Sequence, residues 1–312
     1  MKTILKISVG LVIVIIVAMF ASHLISVGKL EELTDETRKN LPGEFIKLPD
    51  GVISYYWKGP KDGPIVVLVH GLSTPKFVWD GNVDELTAAG NRVLAFDHFG
   101  RGFSDRPDLT YDAEHYDREL LGLLDALGVN TPVNLVGYSM GGGNVVGFAA
   151  RHPERVKKLI LIAPAGFVPK YTGLASMVLI PGLGDWLSTM LGKNAVLDTI
   201  RKEVEEGKAR PDMVEQFEKQ FRYRGYMPAI LSTMRNYPMN DLSEDYKKVG
   251  QTNIPTYAIW GTEDSIVPFE GSKKVKQAIP QVKIFPVEGA EHSVTYARAA
   301  DVNRILIDIL SE

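Results

Sequence analysis

The chain has no cysteine among its 312 residues. Disulfides, thiolate catalysis and cysteine-ligated metals are therefore excluded, while the redox compartment is left open. A dominant charge is also lacking: 35 Lys and Arg stand against 38 Asp and Glu, a net charge of −3. Nothing resembles the Lys/Arg cluster that a nucleic-acid groove requires, so no nucleic-acid partner is expected. No His and carboxylate spacing suggests a metal site, and the glycines at 141–143 lack the Lys-Ser/Thr of a phosphate loop. Neither a metal nor another cofactor is expected.

Charge is also missing from one long stretch. Between Ile7 and Gly28 there is no Asp, Glu, Lys or Arg. As a helix this stretch would rise roughly 33 Å, enough for a hydrocarbon core of about 30 Å. It reads as an uncleaved membrane anchor over 1–28, with partner contacts to the bilayer through 7–28. A cleaved signal peptide is the rival, but no Ala-x-Ala site follows. Lys2 and Lys6 precede the span, whereas Lys29 is followed by four acids, so the remainder is expected on the non-cytoplasmic side. Residues 29–43 read as a juxtamembrane helix and linker. Gly10 and Gly28 do not make a small-residue pairing face, and a homodimer is left open.

After Pro42 short β-branched runs alternate with helical stretches, the pattern of a mostly parallel sheet with crossover helices. Strands are predicted at 44–48, 52–57, 65–70, 92–97, 133–136, 158–162, 256–260 and 282–287. The first two flank Asp50-Gly51, a hairpin signal. Ile65–Val69 and Leu159–Ile162 are unbroken apolar runs, as in strands buried on both faces. Helices are predicted near 83–90, 112–128, 140–152, 268–279 and 296–311. The alternation stops between Ala165 and about Lys248. The core is thus expected over 44–165 and 249–312, with a helical cap over 166–248 in which Leu174–Leu191 is strongly apolar. The acids at 112–119 read as a solvated helix face.

The stretch Val133–Gly143 carries the clearest chemistry. A strand runs into Gly137-Tyr138-Ser139-Met140-Gly141 and a helix follows. Such a turn holds a serine in a strained conformation with its hydroxyl above the sheet edge. Gly137 and Gly141 are needed because a side chain there would collide. The helix beginning at Met140 directs its positive end at the same point. Ser139 is the candidate nucleophile.

The chain resembles the α/β-hydrolase family over roughly 44–312. The resemblance rests on His70–Ser73 (HGLS), Asp97–Pro107 (DHFGRGFSDRP), Gly137–Gly141 (GYSMG), Trp260–Pro268 (WGTEDSIVP) and Gly289–His292 (GAEH). It implies an eight-stranded, mostly parallel sheet flanked by helices, and triad partners in the order Ser, acid, His. His292 then becomes the general base, as the only histidine beyond Ser139 in a loop after a late strand. Asp264 becomes the acid, by the W-G-x-x-D pattern, in preference to Glu263. The oxyanion hole would use the backbone N–H groups of Leu72 and Met140. His70, with Gly71, would order the oxyanion loop. Of the other histidines, His98 reads as structural, His115 as part of an exposed helix and His152 as a helix cap or a surface residue. Asp97 and Arg101 are expected to fix their loop by local pairing.

The expected activity is two-step acyl transfer on a carboxylic ester. The apolar cap segment and the anchor favour lipid-like esters: monoacylglycerol, lysophospholipid or phospholipid acyl bonds. The arrangement resembles membrane-anchored monoacylglycerol lipases and phospholipases A. Two alternatives stand beside it. One is carbon–carbon bond hydrolysis of a ring-fission product, because relatives of that type share the triad and a stretch like Arg222–Asn236. The other is a non-catalytic fold that binds a small apolar ligand.

Overall fold

A computed structural model describes residues 2–312, the side chains of residues 2–7, 9, 12, 174 and 175 excepted. Two helices, α1 (Lys2–Gly28) and α2 (Asp35–Arg38), precede the sheet. The alternating core then runs β1 (Glu44–Leu48), β2 (Gly51–Lys58), β3 (Ile65–Val69), α3 (Asp80–Ala88), β4 (Arg92–Phe96), α4 (Ala113–Ala126), β5 (Val133–Tyr138), α5 (Met140–Arg151) and β6 (Val156–Ile162). Four helices follow without a strand: α6 (Leu183–Glu205), α7 (Met213–Arg222), α8 (Tyr226–Asn236) and α9 (Ser243–Gly250). The core closes with β7 (Thr256–Gly261), α10 (Gly271–Ala278), β8 (Lys283–Val287), α11 (Val294–Ala297) and α12 (Ala299–Ser311).

The eight strands form one sheet in the order β1-β2-β4-β3-β5-β6-β7-β8. β1–β2 and β2–β4 are antiparallel, and every other pair is parallel. The apolar runs occupy the centre: Val66–Val69 and Leu159–Ile162 are fully buried. Burial on both faces needs side chains that carry no polar group, and these strands supply them. The carboxyl ends of β3, β5, β7 and β8 lie along one edge, and loops leaving that edge carry the chemistry described below.

A second apolar cluster lies above that edge. Leu197 and Ile200 of α6, Met213, Phe217 and Phe221 of α7, and Tyr226 and Ile230 of α8 pack together with Phe77. These three helices form the cap. Helix α9 sits elsewhere: Tyr246 and Val249 belong to the main core, against α5.

The expected membrane crossing is corrected. Among the described residues no helix is long and apolar enough to cross a membrane. Part of the expected span lies outside the described side chains. Its final turns are also engaged in polar contacts. Ser22 Oγ accepts from Trp186 Nε1 (2.9 Å), and His23 Nδ1 meets Thr189 Oγ1 (3.0 Å), both on α6. Farther along, the Glu31 backbone pairs with Arg222 and Arg224 (3.0 and 2.8 Å), and Arg222 forms an ion pair with Glu31. The end of α1 and the segment after it are thus strapped to the cap. The anchor, its single-pass topology and the non-cytoplasmic location of the core no longer follow, and the tether argument for a lipid substrate falls with them.

Candidate active site

Ser139 sits between β5 and α5 with φ 54° and ψ −120°. A positive φ is costly for a residue with a Cβ, so the surroundings must enforce it. They do so through close backbone approach. A Cβ on Gly137 would lie 2.3 Å from the Gly141 carbonyl oxygen, and one on Gly141 would lie 2.2 Å from that of Val69. The Ser139 N–H donates to the Ile162 carbonyl (2.9 Å), while its own carbonyl accepts from Gly142 (2.9 Å) and Ala165 (2.8 Å). The elbow is thereby locked to β6 and the loop after it, and its side chain is left half-exposed.

The fold brings three of the sequence-predicted residues together. His292 Nε2 is 2.9 Å from Ser139 Oγ, and His292 Nδ1 is 2.8 Å from Asp264 Oδ2. Asp264 is buried, and its other oxygen accepts from the N–H groups of Ile266 (2.9 Å) and Val267 (2.8 Å). Those two bonds fix the carboxylate's orientation. The loop bearing His292 is fixed as well, because the Tyr138 hydroxyl donates to the His292 carbonyl (3.0 Å). In such a line the imidazole can take the hydroxyl's proton while the carboxylate holds the imidazole in the right tautomer.

Leu72 lies in the loop after β3, half-buried between the main core and the cap cluster. The loop presses on Ser139: a Cβ on Gly71 would stand 3.3 Å from Ser139 Cβ. Met140 is the first residue of α5, and an N–H in a helix's first turn has no partner within the helix. Loop and helix end therefore converge beside Ser139. His70 is fully buried and holds the loop, with Nε2 accepting from the His98 N–H (3.0 Å) and Nδ1 donating to the Gly71 carbonyl (2.8 Å). Burial keeps its pKa well below the ordinary value.

Two expectations about this loop's surroundings change. Asp97 is taken up by Lys76 (2.5 Å), while Arg101 donates to the carbonyls of Leu72 (3.0 Å) and Phe99 (3.2 Å) and to the Thr233 hydroxyl (2.7 Å). Arg101 thus ties the loop after β3 to cap helix α8. The supposedly solvated face of α4 is partly interior: His115 and Glu119 are buried. Glu119 meets His98 Nδ1 and accepts from the Phe99 N–H (2.5 Å), so a charge-bearing side chain finds its partners inside the protein. His98, read as structural, lies in this pair, and His152 caps α5 and meets Asp117 (3.2 Å).

Burial pushes the Glu119 carboxyl up to about 7 and the His98 imidazole down to about 3. The raised carboxyl adds stability as pH falls from about 7, because the folded chain takes up a proton before the unfolded one. The lowered imidazole works in the opposite sense, removing stability as pH falls below its ordinary 6.5. Glu119→Gln leaves the second effect unopposed. The variant's stability deficit against the parent should therefore widen between about pH 7.5 and about pH 5, by up to ~1.4 kcal/mol per unit. Urea unfolding across that range measures it, and a pH-independent deficit would contradict the assignment.

Two site neighbours were not legible in the sequence. Tyr296, one turn beyond His292, donates to Glu203 of α6 (2.9 Å) and packs on the cap cluster. Its spacing from His292 was a usable signal. Nothing in the run around Glu203 set that carboxylate apart from its neighbours.

Comparison with known proteins bears on the family and the fold. A family model described as alpha/beta hydrolase fold matches residues 64–296. The 2-hydroxy-6-oxononadienedioate/2-hydroxy-6-oxononatrienedioate hydrolase of Paraburkholderia xenovorans (strain LB400) is 28% identical over 287 residues, covering 85% of this chain and 93% of the relative. A bifunctional esterase/perhydrolase of Acinetobacter calcoaceticus is 27% identical over 277 residues, covering 84% and 98%. The crystal structure of the enol-lactonase from Burkholderia xenovorans LB400 superposes with a TM-score of 0.73 at 22% identity, over 86% of this chain and all of that one. At that identity the last likeness concerns the fold.

Proposed function

Since the chain belongs to the alpha/beta hydrolase family, we propose that it is a serine hydrolase of uncharged carboxylic esters. Ser139 is the nucleophile, His292 the general base and Asp264 the residue that orients the imidazole. The backbone N–H groups of Leu72 and Met140 stabilise the oxyanion. Ser139 Oγ attacks the carbonyl carbon as His292 Nε2 takes its proton. The same proton passes to the leaving alcohol, and water then opens the acyl-enzyme.

The observation that carries this reading is the unbroken line Ser139 Oγ–His292–Asp264, at 2.9 and 2.8 Å. The apolar cap cluster against Leu72 supports an apolar acyl chain. An uncharged lipid-like ester such as a monoacylglycerol is the larger substrate that suits it. The esterase/perhydrolase relative supports ester chemistry.

A second reading is carbon–carbon bond hydrolysis of a ring-fission product, favoured by the relatives named for dienedioates. A dioate carries two carboxylates. Here the flank of His292 holds Glu291 and Glu203, and Lys208 is shared between Glu206 and Glu291 (2.8 Å each). Acidic surroundings favour the uncharged ester. The full chain should hydrolyse p-nitrophenyl butyrate and a monoacylglycerol with kcat/KM on the order of 100-fold above that for a dienedioate, a margin within reach of differential binding. The reverse order in a side-by-side assay would establish the second reading.

A further inference from the structure

The triad needs one carboxylate, Asp264, yet a second reaches the same place from the cap. Glu203 lies near the end of α6, half-buried, and accepts a hydrogen bond from Tyr296 Oη at 2.9 Å. Tyr296 belongs to α11, one turn after His292. The charged and titratable groups facing Glu203 are Tyr296, Glu291, His292 and Lys208, and it acts in turn on Tyr138, the residue before the nucleophile. Through Tyr296, one turn from His292, it is held at the flank of the Ser139–His292 pair, where the cap meets the sheet edge. Lys208 is held by Glu206 and Glu291 rather than by Glu203. Burial raises the Glu203 carboxyl, which marks a poorly hydrated setting in which charges act on each other strongly.

Nothing in acyl transfer requires an acid here, and a neutral amide would accept the Tyr296 hydrogen bond as well. What the carboxylate does add is discrimination. A substrate whose acyl chain ends in a carboxylate would bring a like charge towards Glu203 in surroundings that screen it weakly, whereas a neutral chain would not. We propose that Glu203 is a specificity-determining residue that admits uncharged acyl groups to the Ser139–His292 site and turns anionic ones away. Repulsion built into a site is a general route to selectivity. The inference deepens the ester-hydrolase reading and rests on it for the natural substrate.

Its test can be made independent of turnover. Alkyl fluorophosphonates phosphonylate an activated serine: Oγ bonds to phosphorus, fluoride leaves and the hydroxyl proton passes to the base. Two probes of equal chain length are compared on the full chain, one ending in methyl and one in carboxylate. The parent protein should react faster with the neutral probe. Glu203→Gln should narrow that ratio about tenfold, equivalent to about 1.4 kcal/mol. Glu203→Asp, which keeps the charge, should stay near the parent ratio. Glu205→Gln, exposed on the same helix, should not change it. For the parent itself, raising NaCl from about 20 mM to about 0.5 M should leave most of the ratio in place, because salt screens a poorly hydrated charge little. A ratio that ignores the substitution, or that salt abolishes, overturns the proposal, as does an Asp variant that falls as far as the Gln variant. Absence of Ser139-dependent turnover on every ester would overturn the ester reading instead, while the phosphonylation ratio would still decide the role of Glu203.

Discussion

Ser139→Ala should lower kcat for p-nitrophenyl butyrate on the order of 10⁵-fold and leave the urea unfolding midpoint almost unmoved. The loss is large because the hydroxyl is the one group that forms the acyl bond. His292 and Asp264 have nothing to activate without it, and only the oxyanion donors and substrate binding would remain. Stability should change by less than about 0.5 kcal/mol, since the hydroxyl is half-exposed and water can take its place on His292 Nε2. The backbone strain at φ 54° is unaffected, because alanine carries the same Cβ. Turnover and unfolding measured on the same preparation separate the two effects. Retention of even a hundredth of the parent rate would remove Ser139 from the mechanism.

The elbow could be read from sequence because its constraint is local and steric. A buried strand, two glycines four positions apart and a helix leave few ways for the chain to turn, and the close approaches at Gly137 and Gly141 are those the motif requires. The hairpin of β1 and β2 was legible for the same reason, at Asp50-Gly51, and the central strands from their unbroken apolar runs. Strand order was not legible from such patterns. The exchange that puts β4 between β2 and β3 depends on where a crossover helix packs, and no local pattern records it.

What was misread depended on partners distant in sequence. Glu119 and His115 look like part of a solvated helix face because the side chain that receives Glu119, His98, lies on another element. Asp97 has Arg101 four residues away but pairs with Lys76, twenty-one residues back. The apolar N-terminal run suggested a bilayer, since composition alone cannot show Ser22 and His23 meeting Trp186 and Thr189 on the cap. Glu203 was not singled out at all. It lies among other acids in the sequence, and only the cap's placement over the sheet edge brings it to Tyr296, one turn from His292.

Asp264→Asn should cost on the order of 10⁴-fold in kcat with little change in KM, and the reason lies in the carboxylate's backbone bonds. Asp264 Oδ1 accepts from the Ile266 and Val267 N–H groups. An asparagine must turn its single carbonyl oxygen towards those two donors, because its NH₂ group cannot accept them. The NH₂ group then faces His292 Nδ1, where Oδ2 now stands at 2.8 Å. Nδ1 is forced to accept, the imidazole proton moves to Nε2, and Nε2 points it at Ser139 Oγ. A nitrogen that already carries a proton cannot take the one from serine. The geometry of the three side chains would survive while the tautomer is wrong, so substrate binding persists and chemistry fails. Two measurements check this. Steady-state kinetics should show the loss in kcat, and the low-field proton resonance of a carboxylate-bound Nδ1–H, expected in the parent, should vanish in the variant. A variant that keeps a tenth of the parent kcat would mean that another group orients His292.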